Sequence, residues 1–300
     1  MSCYNPRLAV NHGQDPITGK NHIKFVPLRI DDSISVNSLR SKYGKDLLLL
    51  PCGQCLGCQF DKAKDWATRC YCESLYHSAN SFLTLTYDDD HCDGKLHKEH
   101  IRDFIKALRN RGVKFRYFGC GEYGSQTKRP HYHFILFGYR PDDLVIYSKS
   151  NGFYLYSSQY LNQLWSKGFV LIGDLTFESA GYVARYTTKK LGDEDSFLMM
   201  SNRPGIGRQY LEDHASELLK DDCIFGKFGS LSHVPLPRYF DSILRDLFPV
   251  EYSEIVYKRL SAIQTVDLNN MINMKVVHLE QLKDHEATVH YDKVARIGRL

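Results

Sequence analysis

Arg129-Pro130-His131-Tyr132-His133-Phe134-Ile135-Leu136-Phe137 opens on two histidines and runs into an unbroken apolar stretch, the pattern of a buried β-strand. Side chains alternate faces along a strand, so His131 and His133 point the same way. Two imidazoles side by side on a rigid scaffold make half of a divalent-metal site. Downstream lies Gly181-Tyr182-Val183-Ala184-Arg185-Tyr186-Thr187-Thr188-Lys189-Lys190. Read as a helix, it puts Tyr182 and Tyr186 on one face, with Lys189 and Lys190 about one turn beyond Tyr186. A metal-binding pair together with two phenols beside lysines points to phosphoryl transfer onto tyrosine.

Outward from the histidine strand, the neighbouring elements follow from periodicity. Lys114 to Gly121 reads as the preceding strand, joined to it by a hairpin loop over Gly124 to Pro130. Ser81 to Tyr87 is rich in β-branched and aromatic residues, and Asp88-Asp89-Asp90 and Asp93-Gly94 close it as a turn. Between these strands, Ile101, Phe104, Ile105 and Leu108 make a helical stripe over Lys98 to Asn110. Phe60, Ala63, Ala67, Cys70, Tyr71 and Leu75 mark an earlier helix from Gln59 to His77. A short helix from Ser158 to Lys167 and a strand from Phe169 to Phe177 lead to the tyrosine helix. The order α–β–α–β–β–α–β–α predicts an α+β fold: a central, largely antiparallel sheet with flanking helices, its hairpin carrying the chemistry.

Residues 1–50 read as a loop-rich lead containing Asn11-His12-Gly13, Thr18-Gly19-Lys20 and Tyr43-Gly44-Lys45. Residues 51–195 form the expected catalytic domain, with a cysteine-rich segment at its start. Residues 196–300 form a mixed C-terminal region of Gly- and Pro-rich turns with a helix near Tyr252 to Leu260, and no motif assigns it a role.

Composition narrows the class. A chain of 300 residues, 43% apolar and 25% charged, can bury a substantial core and is ordinary for a soluble globular protein. Twenty Tyr and 16 Phe against 2 Trp suit a surface that stacks on bases, or simply a Tyr-rich core. The net charge of +4 does not demand a nucleic-acid partner, but Lys98 to Arg140 holds ten Lys and Arg against three Asp and Glu. Such a stretch attracts phosphate or is a solvated basic face. No run of 18 apolar residues suggests a membrane span, and no secretory signal is evident. Nine cysteines, an odd number, without an export signal argue against a disulfide framework and for the cytoplasm.

Three constellations carry chemistry, each with a plainer alternative. The histidine pair needs a hard oxygen donor to hold Mg²⁺ or Mn²⁺, and Glu122, which the hairpin folds back beside His131, is the candidate. The alternative is two histidines packed at a sheet end. A phenol titrates near ~10, so Tyr182 or Tyr186 needs a metal, with Lys189 or Lys190 neutralising developing charge, to act as a nucleophile. The alternative is an amphipathic helix with core tyrosines and solvated lysines. Cys52, Cys55 and Cys58 form C-x2-C-x2-C, and Cys70 and Cys72 follow on one helix. That spacing suits a structural Zn²⁺, with Cys70, Cys72 or a histidine as fourth ligand. An incomplete iron–sulfur signature or reduced thiols in a tight turn are the alternatives. Cys3, Cys92, Cys120 and Cys223 read as ordinary buried or loop residues, and Asp88-Asp89-Asp90 as a solvated turn.

Phe82-Leu83-Thr84-Leu85-Thr86-Tyr87, Pro130-His131-Tyr132-His133-Phe134 and Tyr182 to Lys190 occur in an order that resembles the rolling-circle replication initiators of the HUH endonuclease superfamily. Pro51-Cys52-Gly53-Gln54-Cys55-Leu56-Gly57-Cys58, with Ala63-Lys64-Asp65-Trp66-Ala67 after it, is more narrowly similar to the replication proteins of gokushovirus-type microviruses. The resemblance spans residues 51–191, with weaker similarity from Pro235 to Phe240.

The resemblance implies that His131, His133 and Glu122 hold a divalent metal, and that Thr84 and Thr86 face DNA beside it. One of Tyr182 and Tyr186 would cut the origin, leaving a 5′-phosphotyrosine and a 3′-OH for the host polymerase. The other would cut the regenerated junction, and the released 3′-OH would close a single-stranded circle. Which tyrosine acts first stays open. The implied partners are single-stranded and replicative-form viral DNA at the origin, in the host cytoplasm. A host helicase is expected as well, because no G-x4-G-K-[ST] loop is present. A plasmid-type initiator, or a non-catalytic DNA-binding protein with structural zinc, are the rival readings.

Overall fold

The computed structural model describes residues 3, 6–14, 21–27, 38–39, 41–124, 127–150, 153–186 and 196–264. The chain divides into two units, residues 1–61 with 258–300, and residues 62–257.

In the first unit, β1 (Arg7–Gln14) lies between β2 (Asn21–Phe25) and β3 (Leu47–Leu50) in an antiparallel sheet. Leu8, Ala9 and Val10 are its buried apolar residues among those described, besides Cys3 and Cys58. The segment read as a loop-rich lead therefore contains a small sheet. Short strands interrupted by Gly and Asn give too few alternations for periodicity to reveal them.

The second unit is built on a seven-stranded sheet, order β10-β5-β6-β4-β9-β8-β7. Its strands are β4 (Asn80–Tyr87), β5 (Arg116–Tyr123), β6 (Pro130–Phe137), β7 (Leu144–Ser150), β8 (Phe153–Ser158), β9 (Gly168–Gly173) and β10 (Phe197–Met200). Every pairing is antiparallel. The expected α+β architecture, a largely antiparallel sheet with flanking helices, is the one observed.

Period-two alternation divides the β6 side chains between two cores. Tyr132, Phe134 and Leu136 join Leu83, Leu85, Val170 and Ile172 on one face. There they meet Ile101, Phe104, Ile105 and Leu108 of α2 (Lys98–Asn110) and Leu161 and Trp165 of α3 (Gln159–Trp165). The buried phenols on this side are satisfied: Tyr87 Oη lies 2.7 Å from both Tyr132 Oη and His100 Nδ1, and His97 N–H donates to Tyr132 Oη at 2.7 Å. Ile135 and Phe137 point to the other face, with Phe118 and Cys120 of β5. That face is covered by Ala67 and Cys70 of α1 (Leu56–Ser74) and by Ala180 and Val183 of α4 (Phe177–Tyr186). Gly119 stands opposite Phe134, and a β-carbon there would collide with that ring.

Two boundaries differ from the sequence reading. The strand expected to reach Phe177 ends at Gly173, and the tyrosine helix begins at Phe177. A reciprocal cap starts that helix: Thr176 N–H donates to Ser179 Oγ at 2.8 Å, and Ser179 N–H to Thr176 Oγ1 at 3.1 Å. The β7–β8 hairpin falls in a stretch to which the sequence reading gives no element.

After the sheet come α5 (Arg208–Asp213), α6 (Ala215–Asp221), the hairpin β11 (Cys223–Phe228) with β12 (Leu231–Pro235), α7 (Arg238–Leu247) and α8 (Pro249–Gln264). They enclose a second core of Leu211, Leu218, Ile224, Phe228, Val234, Phe240 and Leu244 that also takes Cys72 of α1. Polar contacts fasten this region to α1. The buried Glu73 carboxylate accepts from Gly207 N–H at 2.7 Å and pairs with Arg116 at 2.8 Å. The Arg69 guanidinium sits between the Trp66 and Tyr239 rings, 4.0 Å from each centroid, and donates to the Ile206 carbonyl. No helix among the described residues is long and apolar enough to cross a membrane.

Candidate active site

Register assembles the site on the face of the sheet that bears α4. On β6, His131 faces Glu122 of β5 and Thr86 of β4, while His133 faces Cys120 and Thr84. Residues directly opposed across antiparallel strands project to the same side, so Glu122, Thr84, Thr86 and both histidines share it. His133 and Glu122 are 5% and 8% exposed, too little to leave either polar group unpaired without cost. They pair with each other, His133 Nε2 to Glu122 Oε1 at 3.0 Å. Thr84 Oγ1 lies 3.1 Å from the other nitrogen of that ring, Nδ1, and fixes its plane.

The His131 ring lies parallel to that of His133, with 5° between planes and 6.4 Å between centroids. Its Nδ1–H donates to the Arg129 carbonyl at 2.6 Å. A carbonyl only accepts, so this bond fixes the tautomer and leaves the lone pair on Nε2. Burial is the main influence on His131 and holds it below the usual imidazole range, partly opposed by the Arg129 hydrogen bond. The neutral ligand form is thereby favoured. The Arg129 side chain pins the approach to the strand, bonding to Asp89 Oδ1 at 2.6 Å and to the Tyr87 carbonyl at 3.0 Å.

Tyr182 comes to the same place from α4. Ala180, Val183 and Ala184 are buried, which turns Tyr182 along the flank of the helix. Its ring meets His133 edge-on, with 5.1 Å between centroids and 88° between planes, and Phe82 at 6.3 Å. Glu122, His131, His133 and Tyr182 are thus brought together. Tyr186 is the last residue of α4, and its side chain, like Lys189 and Lys190, lies outside the described residues.

The same face continues across the sheet. Thr86 opposes Phe169 and Thr84 opposes Leu171 on β9; Leu171 opposes Ser157 on β8, which opposes Val145 on β7. Phe169 is 63% exposed, Phe153 59% and Val145 68%. The sequence reading does not single these residues out. A signal was present: Asn151-Gly152 between two runs of aromatic and β-branched residues favours a two-residue hairpin turn.

The cysteines require a correction. The sulfurs of Cys52, Cys55 and Cys58 do cluster, but the fourth is Cys3, and all four lie within 4.8 Å of one another. Cys3 is therefore not the ordinary residue expected from sequence. Pairing of Arg7 with Leu50 brings the chain before β1 alongside the chain after β3, a contact between residues 49 apart that local spacing does not reveal. Cys70 and Cys72 are not part of the cluster. Both are buried in apolar cores by opposite sides of α1, and burial pushes both thiols up. Among the described residues, this quartet is the one group of His, Cys, Asp or Glu drawn so tightly together; His131, His133 and Glu122 are not.

Residues 80–191 match the family model for the ORF2 type of replication-associated protein, a span that contains β4, the hairpin and α4. The chain is 33% identical over 270 residues to replication-associated protein VP4 of Bdellovibrio phage phiMH2K, covering 83% of each chain. It is 36% identical over 214 residues to replication-associated protein ORF2 of Spiroplasma virus 4, covering 64% of this chain and 66% of that one. It is 34% identical over 262 residues to replication-associated protein ORF4 of Chlamydia phage 1, covering 78% of this chain and 63% of that one. No solved structure matches. This chain belongs to the microvirus family of replication-associated proteins, rolling-circle replication initiators.

Proposed function

We propose that this initiator cuts one DNA strand at the replication origin by attack of a tyrosine on a backbone phosphate. The phenol oxygen of Tyr182 or Tyr186 forms a bond to phosphorus, and the bond from phosphorus to the 3′ oxygen breaks. The phenol gives up its proton and the departing oxygen gains one. The products are a 5′-phosphotyrosine and a free 3′-OH. Reversal against a second end rejoins the displaced strand as a circle. The observation that carries this reading is the edge-on contact of Tyr182 with His133, itself held by Glu122.

His131, His133 and Glu122 would hold a divalent metal, Mg²⁺ or Mn²⁺. Their donor set fits: two imidazole nitrogens and one carboxylate oxygen suit a borderline-hard ion. The 3.0 Å between His133 Nε2 and Glu122 Oε1 also fits. It is the spacing of two adjacent ligands on one octahedral ion with bonds of about 2.1 Å. When bound, such an ion draws charge from the phosphate oxygens and stabilises the leaving group.

The protein residues supply the rest. Thr84 and the Arg129 carbonyl orient the two rings. Phe169, exposed beside Thr86, offers a stacking surface for an unpaired base at the site, and the basic segment from Lys98 to Arg140 attracts the backbone. The substrate is origin DNA in single-stranded form within the host cell, with helicase and polymerase supplied by the host.

The test is incubation of the purified chain with end-labelled single-stranded origin DNA and Mg²⁺ or Mn²⁺. The expected products are a fragment whose 3′ end a polymerase extends and a fragment whose 5′ end is blocked by protein. Products with free 5′-phosphate at all times, or cutting that persists in chelator, would overturn the reading.

A further inference from the structure

We propose that Cys3, Cys52, Cys55 and Cys58 bind one Zn²⁺ ion that fastens the N-terminus to the turn before α1. The spacing of the sulfurs is the first argument. Cys52 Sγ lies 3.9 Å from Cys58 Sγ, and Cys55 Sγ 3.8 Å from Cys3 Sγ. A disulfide would need about 2.05 Å. A tetrahedron of sulfurs around zinc, with bonds of about 2.3 Å, has edges of about 3.8 Å. An iron–sulfur cluster, which places several inorganic atoms between its cysteines, would hold them farther apart.

The backbone is the second argument. Cys52 N–H points at Cys3 Sγ at 3.2 Å, Gly53 N–H at Cys58 Sγ at 3.3 Å and Cys55 N–H at Cys52 Sγ at 3.3 Å. Amide donors converging on sulfur stabilise thiolates, the form that ligates metal. Gly53 has φ +78°, a left-handed conformation that favours glycine, and this turns its N–H towards the sulfurs.

Size is the third argument. Among the described residues of its unit, the buried apolar side chains besides cysteine are Leu8, Ala9 and Val10. A core so small gains little from burial, and a structural metal is a common way to stabilise one. The quartet shares no residue with the candidate catalytic site, and its metal binding does not depend on DNA cleavage.

The test is metal analysis of the full chain, produced without a histidine tag and dialysed against metal-free buffer. Close to one zinc per chain is expected in the wild type, in Cys223→Ser and in His131→Ala. Cys3→Ser and Cys55→Ser should retain little. Because those variants could lose zinc by misfolding, wild-type chain reconstituted with Co²⁺ gives a second readout. The expected spectrum has the intense visible bands and thiolate charge-transfer absorption of a tetrahedral tetrathiolate. Zinc-free wild type with all nine thiols reactive would overturn the proposal. So would bound iron in place of zinc, a Co²⁺ spectrum without thiolate absorption, or full zinc retention in Cys3→Ser.

Discussion

The Tyr182 ring stands perpendicular to that of His133, with 5.1 Å between their centroids. The contact is made by the ring, so removing the hydroxyl leaves the packing in place. Tyr182→Phe is expected to fold with stability within about 0.5 kcal/mol of wild type, measured by denaturant titration. Its Mn²⁺ affinity should stay unchanged, while strand cleavage starting at Tyr182 is abolished. A large fall in stability would mark Tyr182 as a packing residue instead.

Thr84 touches His133 Nδ1 at 3.1 Å and makes no direct claim on the metal. Thr84→Val keeps the shape and removes the orienting hydroxyl. Mn²⁺ affinity, read by calorimetry, is expected to fall about 10-fold or more, as for other groups that orient a ligand. Thr84→Ser should restore most of it. Equal losses in both variants would mean that the hydroxyl does not orient the ring.

Burial lowers the His131 pKa, and the neutral ring is the ligand. Mn²⁺ binding should therefore be full above the ordinary imidazole value of about 6.5 and lost only as the pH falls through the lowered value. The same shift makes the metal-free fold less stable below about 6.5, because the unfolded chain takes up the proton more readily. Electron paramagnetic resonance of free Mn²⁺ across pH reads the first effect. Half-loss of binding above a pH of about 7 would contradict it.

Phe169 opposes Thr86 and is 63% exposed on the face that carries the histidines. If it stacks on a base, Phe169→Ala should weaken single-stranded DNA binding by about 1–3 kcal/mol, measured by fluorescence anisotropy. Duplex binding should change little, and Phe169→Trp should bind at least as well as wild type. Equal weakening for both DNA forms would remove Phe169 from the stacking role.

The centre of the sheet was legible because its residues obey simple periods. Ile101, Phe104, Ile105 and Leu108 set α2 from Lys98 to Asn110, the span read from sequence. His131 and His133, two apart on a buried strand, had to share a face, and the hairpin had to return Glu122 beside them. The β7–β8 hairpin was missed because Val145, Ile146 and Tyr147 are all exposed, which leaves no alternation to read. The start of α4 was missed because Thr176 and Ser179 cap it with hydroxyls in a stretch whose apolar residues suggest a longer strand. Cys3 was missed because strand pairing, and not local spacing, brings it to Cys52. Cys70 and Cys72 were over-read for the complementary reason: nearness in sequence did not overcome their burial on opposite sides of one helix.

The central claim is that a tyrosine of α4 becomes covalently joined to the origin strand. The most direct measurement is mass spectrometry of the denaturation-resistant adduct formed with single-stranded origin DNA and Mn²⁺, after digestion of both polymers. The expected result is a nucleotide linked through 5′-phosphate to the peptide bearing Tyr182 or Tyr186, absent with chelator and from the Tyr182→Phe, Tyr186→Phe double variant. Tight DNA binding without any adduct, or an adduct mapped to a residue outside α4, would contradict it.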